Sequence, residues 1–176
     1  MSMLGLEPHL VAARLVSEAG GVLIGRTRLQ KVACLAKLAG LLDTFEFEYR
    51  HYGPFSESLA TSMDIAAGLK IVEEQERRAE WGGWYSIYSA TDRTPPAGDA
   101  QRSQFVTEAA KIGAIQLELA ATAAFLHVEE GLDGPEAWAE TARRKPEKAQ
   151  GNRLEAAKAA YRQLRRLSTP TPLPAI

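Results

Sequence analysis

The chain has 176 residues, 45% of them hydrophobic and 24% charged, with a formal net charge of −1. That is the balance of an ordinary globular protein long enough to bury a core without staples, and it recommends neither nucleic acid nor a membrane as a partner for the whole molecule. One cysteine, Cys34, excludes an intramolecular disulfide, and three scattered histidines (His9, His51, His127) give no zinc-ligand spacing, so no metal or other cofactor is expected. With no apolar run near about 18 residues and no signal-peptide pattern at the start, the expectation is a reduced, cytoplasmic protein.

Residues 8–19 read as a first helix, with Leu10, Ala13 and Val16 on one stripe and Pro8 at an early position. Gly20 and Gly21 end it. In the following "GRTRLQKVACLAKLAG", Thr27 and Gln30 have the spacing of a T-x-x-Q capping box. Leu29, Val32, Ala33, Ala36 and Ala39 are then expected to face inward, and Arg28, Lys31 and Lys37 outward. "FEFEYRHY" alternates, so it predicts a half-buried strand with Phe45, Phe47, Tyr49 and His51 on the core face. Gly53 breaks that strand and Pro54 suits the first position of a third helix over residues 54–67, whose buried stripe is Phe55, Leu59, Met63 and Ala66. Residues 71–78 and 84–90 predict two strands of a hairpin.

The proline-bearing segment "TDRTPPAGDAQRS" marks a linker. After it, residues 104–128 predict one long Ala-rich helix, Pro135 opens a short helix containing Trp138, and residues 152–167 form a last one with Leu154, Ala157, Tyr161 and Leu164 on its apolar face. The expected organisation is a winged-helix-like unit at 1–92, a linker at 93–103, a C-terminal helical extension packed on the unit at 104–168 and a flexible tail at 169–176. In fold class this is mainly α with a small β element: three helices, a short strand and a β-hairpin, extended by a helical bundle.

Charge is uneven along the chain. Residues 1–92 hold nine Lys/Arg and twelve Asp/Glu, whereas residues 93–176 hold twelve and ten. Nine basic residues lie between Arg143 and Arg166, opposed there only by Glu147 and Glu155, so an electrostatic partner is sought there first.

Several blocks carry a family resemblance. "GRTRLQKVACLAKLAG", "YRHYGPFSESL" and "GLKIVEE" resemble the RT-x-LQK, YGP-[FY]-S and G-[LK]-I blocks of bacterial YwgA-like proteins, which are distantly similar to the SocA-like Panacea antitoxin domain. "LELAATAAFLH" and "RRKPEKA" are similar to blocks in the helical half of the same family. The wing departs from the family's usual Y-x-L-T-x-x-G ending and reads "YSIYSATDRT". What the Panacea side of the resemblance implies is protein–protein neutralisation or adaptor work, near toxins or phage-defence genes.

Four groups of residues are candidates for function. A winged helix suggests DNA binding, yet the helix in the recognition position carries Glu57 and Asp64 and no Lys or Arg, which opposes a phosphate-lined groove. Arg77 and Arg78, with Trp81 and Trp84, partly compensate at the wing tip. Around Arg50, His51 and Tyr52, a catalytic reading would make His51 a general base. Strand alternation instead splits the cluster, placing His51 in the core as a structural residue and leaving Arg50 to pair with Glu46 or Glu48.

Arg26, Arg28 and Lys31 gather at a helix N-terminus, where an anion could dock; otherwise they are solvated while Thr27 and Gln30 cap. No P-loop spacing is present. On the basic C-terminal helix, Arg162, Arg165 and Arg166 could meet nucleic acid, a partner protein, or the acidic half of the same molecule. A buried Glu118 would need a basic partner, with Arg26 or Arg28 expected. Gly53 and Pro54 are expected to be architectural. The function expected is a non-catalytic interaction module, antitoxin-like or a phage-defence adaptor, whose partner is a toxin or defence protein; the alternative is a winged-helix DNA-binding regulator.

Overall fold

Proline at the first helical position loses no hydrogen bond, and Pro8 accordingly opens α1 (Pro8–Glu18), which buries Val11, Ala12, Leu15 and Val16. The computed structural model describes residues 5–176; residues 1–4 of the expected N-terminal unit lie outside the described residues. Gly20 and Gly21, at φ +98° and +96°, swing the chain into β1 (Val22–Ile24), a strand too short to show any alternation in sequence. Next comes α2 (Arg26–Leu38), and here the expected capping box fails: Gly25 is the N-cap and no side chain caps the helix. Thr27 is exposed, whereas Gln30 and Lys31 are buried at 4% and 1% exposure, so Lys31 does not face outward.

The strand after α2 is shorter than expected and folds back on itself. β2 (Glu48–Arg50) pairs antiparallel with β3 (Gly53–Phe55), in the register Glu48↔Phe55, Tyr49↔Pro54 and Arg50↔Gly53. Pro54 is therefore a strand residue rather than the start of a helix, tolerated because this two-stranded ribbon does not require its N–H. His51 and Tyr52 form the two-residue turn, and both are exposed, which corrects the core assignment of His51. The third helix, α3 (Glu57–Gly68), begins where a serine can cap it: Ser56 Oγ accepts the Leu59 N–H at 3.2 Å.

A second hairpin, β4 (Val72–Arg78) and β5 (Trp84–Ala90), completes a three-stranded antiparallel sheet of order β1-β5-β4, with Val22↔Ser89 and Val72↔Ala90 in register. Helix, strand, helix, helix and two-stranded wing is the winged-helix arrangement, here with the β2–β3 hairpin inserted before α3. The expectation of a mainly α protein with a small β element holds.

Four helices follow. Asp99 accepts the Arg102 N–H at 2.9 Å and starts α4 (Ala100–Ala110) inside the segment expected to be linker. The single long helix expected over 104–128 is two, because Gly113 breaks the run before α5 (Ala114–Glu130). α6 (Gly134–Arg144) is capped by Asp133, and α7 (Arg153–Arg165) follows. Helix α5 is buried from Leu117 to Leu126 and packs against α2, α6 and α7. Its alanines at 120, 121, 123 and 124 allow close approach from every side, as suits a helix apolar all round.

Polar contacts add to this packing in tying the C-terminal part to the winged-helix unit. Arg102 donates from Nε to both Glu18 carboxylate oxygens at 2.9 and 2.7 Å, a buried ion pair between α4 and α1. The last eight residues, expected to be flexible, run extended along the surface of the helices. The Thr171 N–H donates to the Ala39 carbonyl at 3.0 Å, Tyr161 Oη to the Pro174 carbonyl at 2.7 Å, and Leu173 is 2% exposed. Proline-rich backbone is already stiff, so little entropy opposes this docking once Leu173 finds a slot.

Candidate functional site

The sequence blocks that stand out by pattern converge on the β2–β3 hairpin. Gln30 and Lys31, successive residues of α2, reach across to its backbone. Gln30 donates from Nε2 to the Ser56 carbonyl at 2.9 Å and accepts the Ser56 N–H on Oε1 at 2.8 Å. Lys31 donates from Nζ to the Pro54 carbonyl at 2.7 Å. The side chain read as half of a capping box is thus a latch between α2 and the strand-to-helix corner.

Between α2, α3, the hairpin and β5 lies a cavity of about 150 Å³. Leu29, Phe55, Ala60, Met63 and Tyr88 give it an apolar wall, with Arg26, Thr27 and Asp64 toward its mouth and Tyr52 beside them. Burial pushes the Tyr88 hydroxyl up to about 12. The charges at this mouth are spent on one another. Arg26 pairs with Glu74 at 2.7 Å and Asp64 at 3.7 Å and donates to Ser86 Oγ at 3.2 Å. Arg50 pairs with Glu48 and, at 2.9 Å, with Glu57, its guanidinium 4.9 Å from the Phe55 ring centre.

Behind the hairpin is a buried charge cluster. Glu118, 2% exposed, is held by Lys148 at 2.5 Å and Lys145 at 3.4 Å, not by Arg26 or Arg28. The spacing of "RRKPEKA" places both lysines just past the end of α6, where they reach α5. Arg28 instead bonds backbone: its Nε donates to the Ile24 carbonyl at 3.0 Å and its Nη1 to the carbonyls of Ala110 (2.9 Å) and Ile112. Burial pushes Lys31 down to about 8, the nearby Lys145 and Lys148 adding to the effect and Glu118 opposing it; burial likewise lowers Lys145. Gly53 sits at φ +92° against Thr122, whose buried hydroxyl has no hydrogen-bond partner among the described residues.

The remaining candidates are scattered. Tyr52 is 58% exposed, edge-on to His51 at 4.8 Å, with Lys148 Nζ 5.1 Å from its ring centre. Arg77 and Arg78 are exposed at the end of β4, beside Trp81 and Trp84 at 80% and 65% exposure. Arg162, Arg165 and Arg166 are exposed on and just past α7, and Arg165 donates to the Leu173 carbonyl at 3.1 Å. Much of the basic C-terminal charge is paired locally, through Arg143–Glu140, Arg144–Glu130 and Lys158–Glu155.

Sequence reasoning missed Lys145, Lys148 and Ser56 as members of this site. All three lie inside blocks singled out by pattern, but nothing local shows that the two blocks touch. Among the described residues, no group of three His, Cys, Asp or Glu side chains is placed to hold a metal, and no helix is long and apolar enough to cross a membrane.

No family model matches the chain. It is 28% identical over 88 residues to the uncharacterized protein YwgA of Bacillus subtilis (strain 168), an alignment covering 49% of this chain and 51% of that protein. The chain therefore spans about half the length of the curated relative it matches, and the likeness supports the YwgA-like resemblance of its sequence blocks.

Proposed function

We propose that this chain is a non-catalytic protein-interaction module of the cytoplasm, an antitoxin-like or phage-defence-associated adaptor of the kind that similarity to the Panacea domain implies. One observation carries the reading: α3, in the recognition position of the winged helix, offers no cation to a phosphate backbone. Its two outward carboxylates, Glu57 and Asp64, are bonded to Arg50 and Arg26, which removes those arginines from service as phosphate ligands as well. Beside them Ile65 and Leu69 are 45% and 48% exposed. Apolar side chains among paired charges suit a protein surface better than a duplex, whose affinity comes from neutralising phosphates.

The test sets two measurements on the folded full chain side by side. Anisotropy titration with duplex DNA is expected to show at most weak, salt-sensitive binding that disappears when Arg162, Arg165 and Arg166 become Ser. Co-purification from the native host, with mass spectrometry, is expected to retain a toxin or defence protein that Ile65→Glu with Asp64→Arg releases. Sub-micromolar, sequence-selective DNA binding that depends on α3 would overturn the adaptor reading. It would promote a winged-helix regulator, the reading favoured by the exposed wing tip of Arg77, Arg78, Trp81 and Trp84.

A further inference from the structure

Three lysines face one carboxylate beneath the hairpin turn. Lys31 and Lys145 are 1% and 7% exposed, Lys148 is roughly one-third exposed, and Glu118 is the acidic member that Lys145 and Lys148 share. Three positive charges less one leave a surplus of two in a largely buried recess. Buried charge without a counter-charge is costly, and either neutralisation of a lysine or entry of an anion relieves it.

A second observation favours the anion. Thr122 is fully buried, yet its hydroxyl has no partner among the described residues, and natural proteins rarely leave such a group unbonded. A Cβ built on Gly53 would lie 2.5 Å from Thr122 Oγ1 and 3.7 Å from Lys145 Nζ, so hydroxyl and ammonium converge on one corner of the hairpin. Of these groups Lys31 alone lines the apolar cavity, so the cluster meets the cavity at that ammonium. Tyr52 also lines that cavity, and Lys148 Nζ sits over the Tyr52 ring at its mouth.

We propose that this recess binds a small phosphate ester, its phosphoryl group held by Lys31, Lys145, Lys148 and the Thr122 hydroxyl and its apolar body lying in the cavity against Met63 and Tyr88. A phosphoryl group carries a charge of about −1.5 to −2 at pH 7, matching the surplus. Lysine binds it as a point charge and needs no planar fork, and the threonine hydroxyl supplies a directed donor. The site stands apart from the partner-docking reading, because none of its phosphate ligands lies on the outer face of α3.

Calorimetric titration of the full chain at pH 7 with phenyl phosphate, inorganic phosphate and benzoate tests it. Phenyl phosphate is expected to bind about tenfold more tightly than inorganic phosphate, and benzoate more weakly than phenyl phosphate by a similar factor. Thr122→Val keeps the shape, removes the hydroxyl and is expected to weaken phenyl phosphate about tenfold; Lys145→Met should weaken it further. Because Lys145→Met also leaves Glu118 less well paired, its fold is checked by circular dichroism. Should that variant unfold, the Thr122→Val titration alone decides. Bound phosphate should also raise the Lys31 titration above 8 in amine-detected NMR.

Equal affinity for phosphate and phenyl phosphate would remove the cavity from the site and overturn the assignment of an ester. Absence of saturation by about 10 mM phenyl phosphate, binding unchanged in Thr122→Val, or binding lost instead when Arg162 and Arg166 become Ser would overturn the proposal as a whole.

Discussion

Replacing Gln30 by Met would keep the volume of the side chain and delete its two hydrogen bonds to Ser56, and the cost can be worked bond by bond. The Ser56 N–H is buried, in a residue 1% exposed, and Gln30 Oε1 at 2.8 Å is the partner it would lose. A buried donor left unsatisfied costs about 1–3 kcal/mol. The Ser56 carbonyl fares better, since it still accepts the Ala60 N–H at 3.2 Å, so losing Gln30 Nε2 there removes about 1 kcal/mol. Together Gln30→Met should destabilise the fold by about 2–4 kcal/mol. Thr27 is exposed and caps nothing, so Thr27→Ala should stay within about 0.5 kcal/mol rather than show the ~1 kcal/mol of a lost cap. Urea unfolding at pH 7, comparing midpoints at unchanged slope, measures both. A Thr27→Ala loss of about 1 kcal/mol with a smaller Gln30→Met loss would restore the capping box and refute the latch.

Gly53→Ala should cost about 1–3 kcal/mol in a thermal melt, because φ +92° disfavours a side chain and its Cβ would crowd Thr122; an unchanged melt would show that the turn can relax. His51→Ala, at the exposed turn, should change stability by less than about 0.5 kcal/mol, and a large loss would return His51 to the core. Lys31 titrates near 8 when folded and near 10.5 when unfolded, so between those values the unfolded chain binds the extra proton and stability rises with pH. That contribution is full above 10.5, is lost as pH falls through 8, and is at most about 3 kcal/mol; the rise should be missing from Lys31→Met in denaturation curves at pH 7 and 10. Ending the chain at Ser168 removes the Leu173 anchor and the acceptor of the Tyr161 hydroxyl, and should lower the unfolding free energy by about 2–4 kcal/mol in the same urea assay.

Elements with a strong local cause were legible in the sequence, and those whose cause is a distant contact were not. The α1 stripe, the β4–β5 wing and the separation of α6 and α7 follow from periodicity and breakers within each segment. β1 has only three residues, and it exists because β5 offers it a distant partner in register, Leu23 with Tyr88. The alternation of Phe45 to His51 predicted the right face as far as Tyr49, then failed at His51, because Gly53 turns the chain into a hairpin. Lys31 reads as a solvated cation on any helical wheel. Only the carbonyl of Pro54, at 2.7 Å, gives its ammonium a reason to be inside. Glu118 was recognisable as a buried acid in need of a base. Which base could not follow from sequence, since Lys145 and Lys148 reach it from the segment beyond a different helix.

The same contacts explain why the RT-x-LQK and YGP-F-S blocks occur together. Gln30 and Lys31 recognise backbone, not side chains, at positions 54 and 56, so what they require of the second block is a shape: a glycine able to hold φ +92°, a proline carbonyl turned inward and a serine that caps α3. Two blocks distant in sequence are thereby one contact. It fixes the hairpin ahead of α3, and the hairpin carries Arg50 to Glu57. A chain that positions its recognition helix through buried polar latches, then neutralises that helix's carboxylates with its own arginines, presents an electrically quiet face there. The unbalanced charge lies instead with Lys31, Lys145 and Lys148 around Glu118, beneath the hairpin turn. On the two proposals above, an anion is met at this lysine cluster and a protein partner on the face of α3.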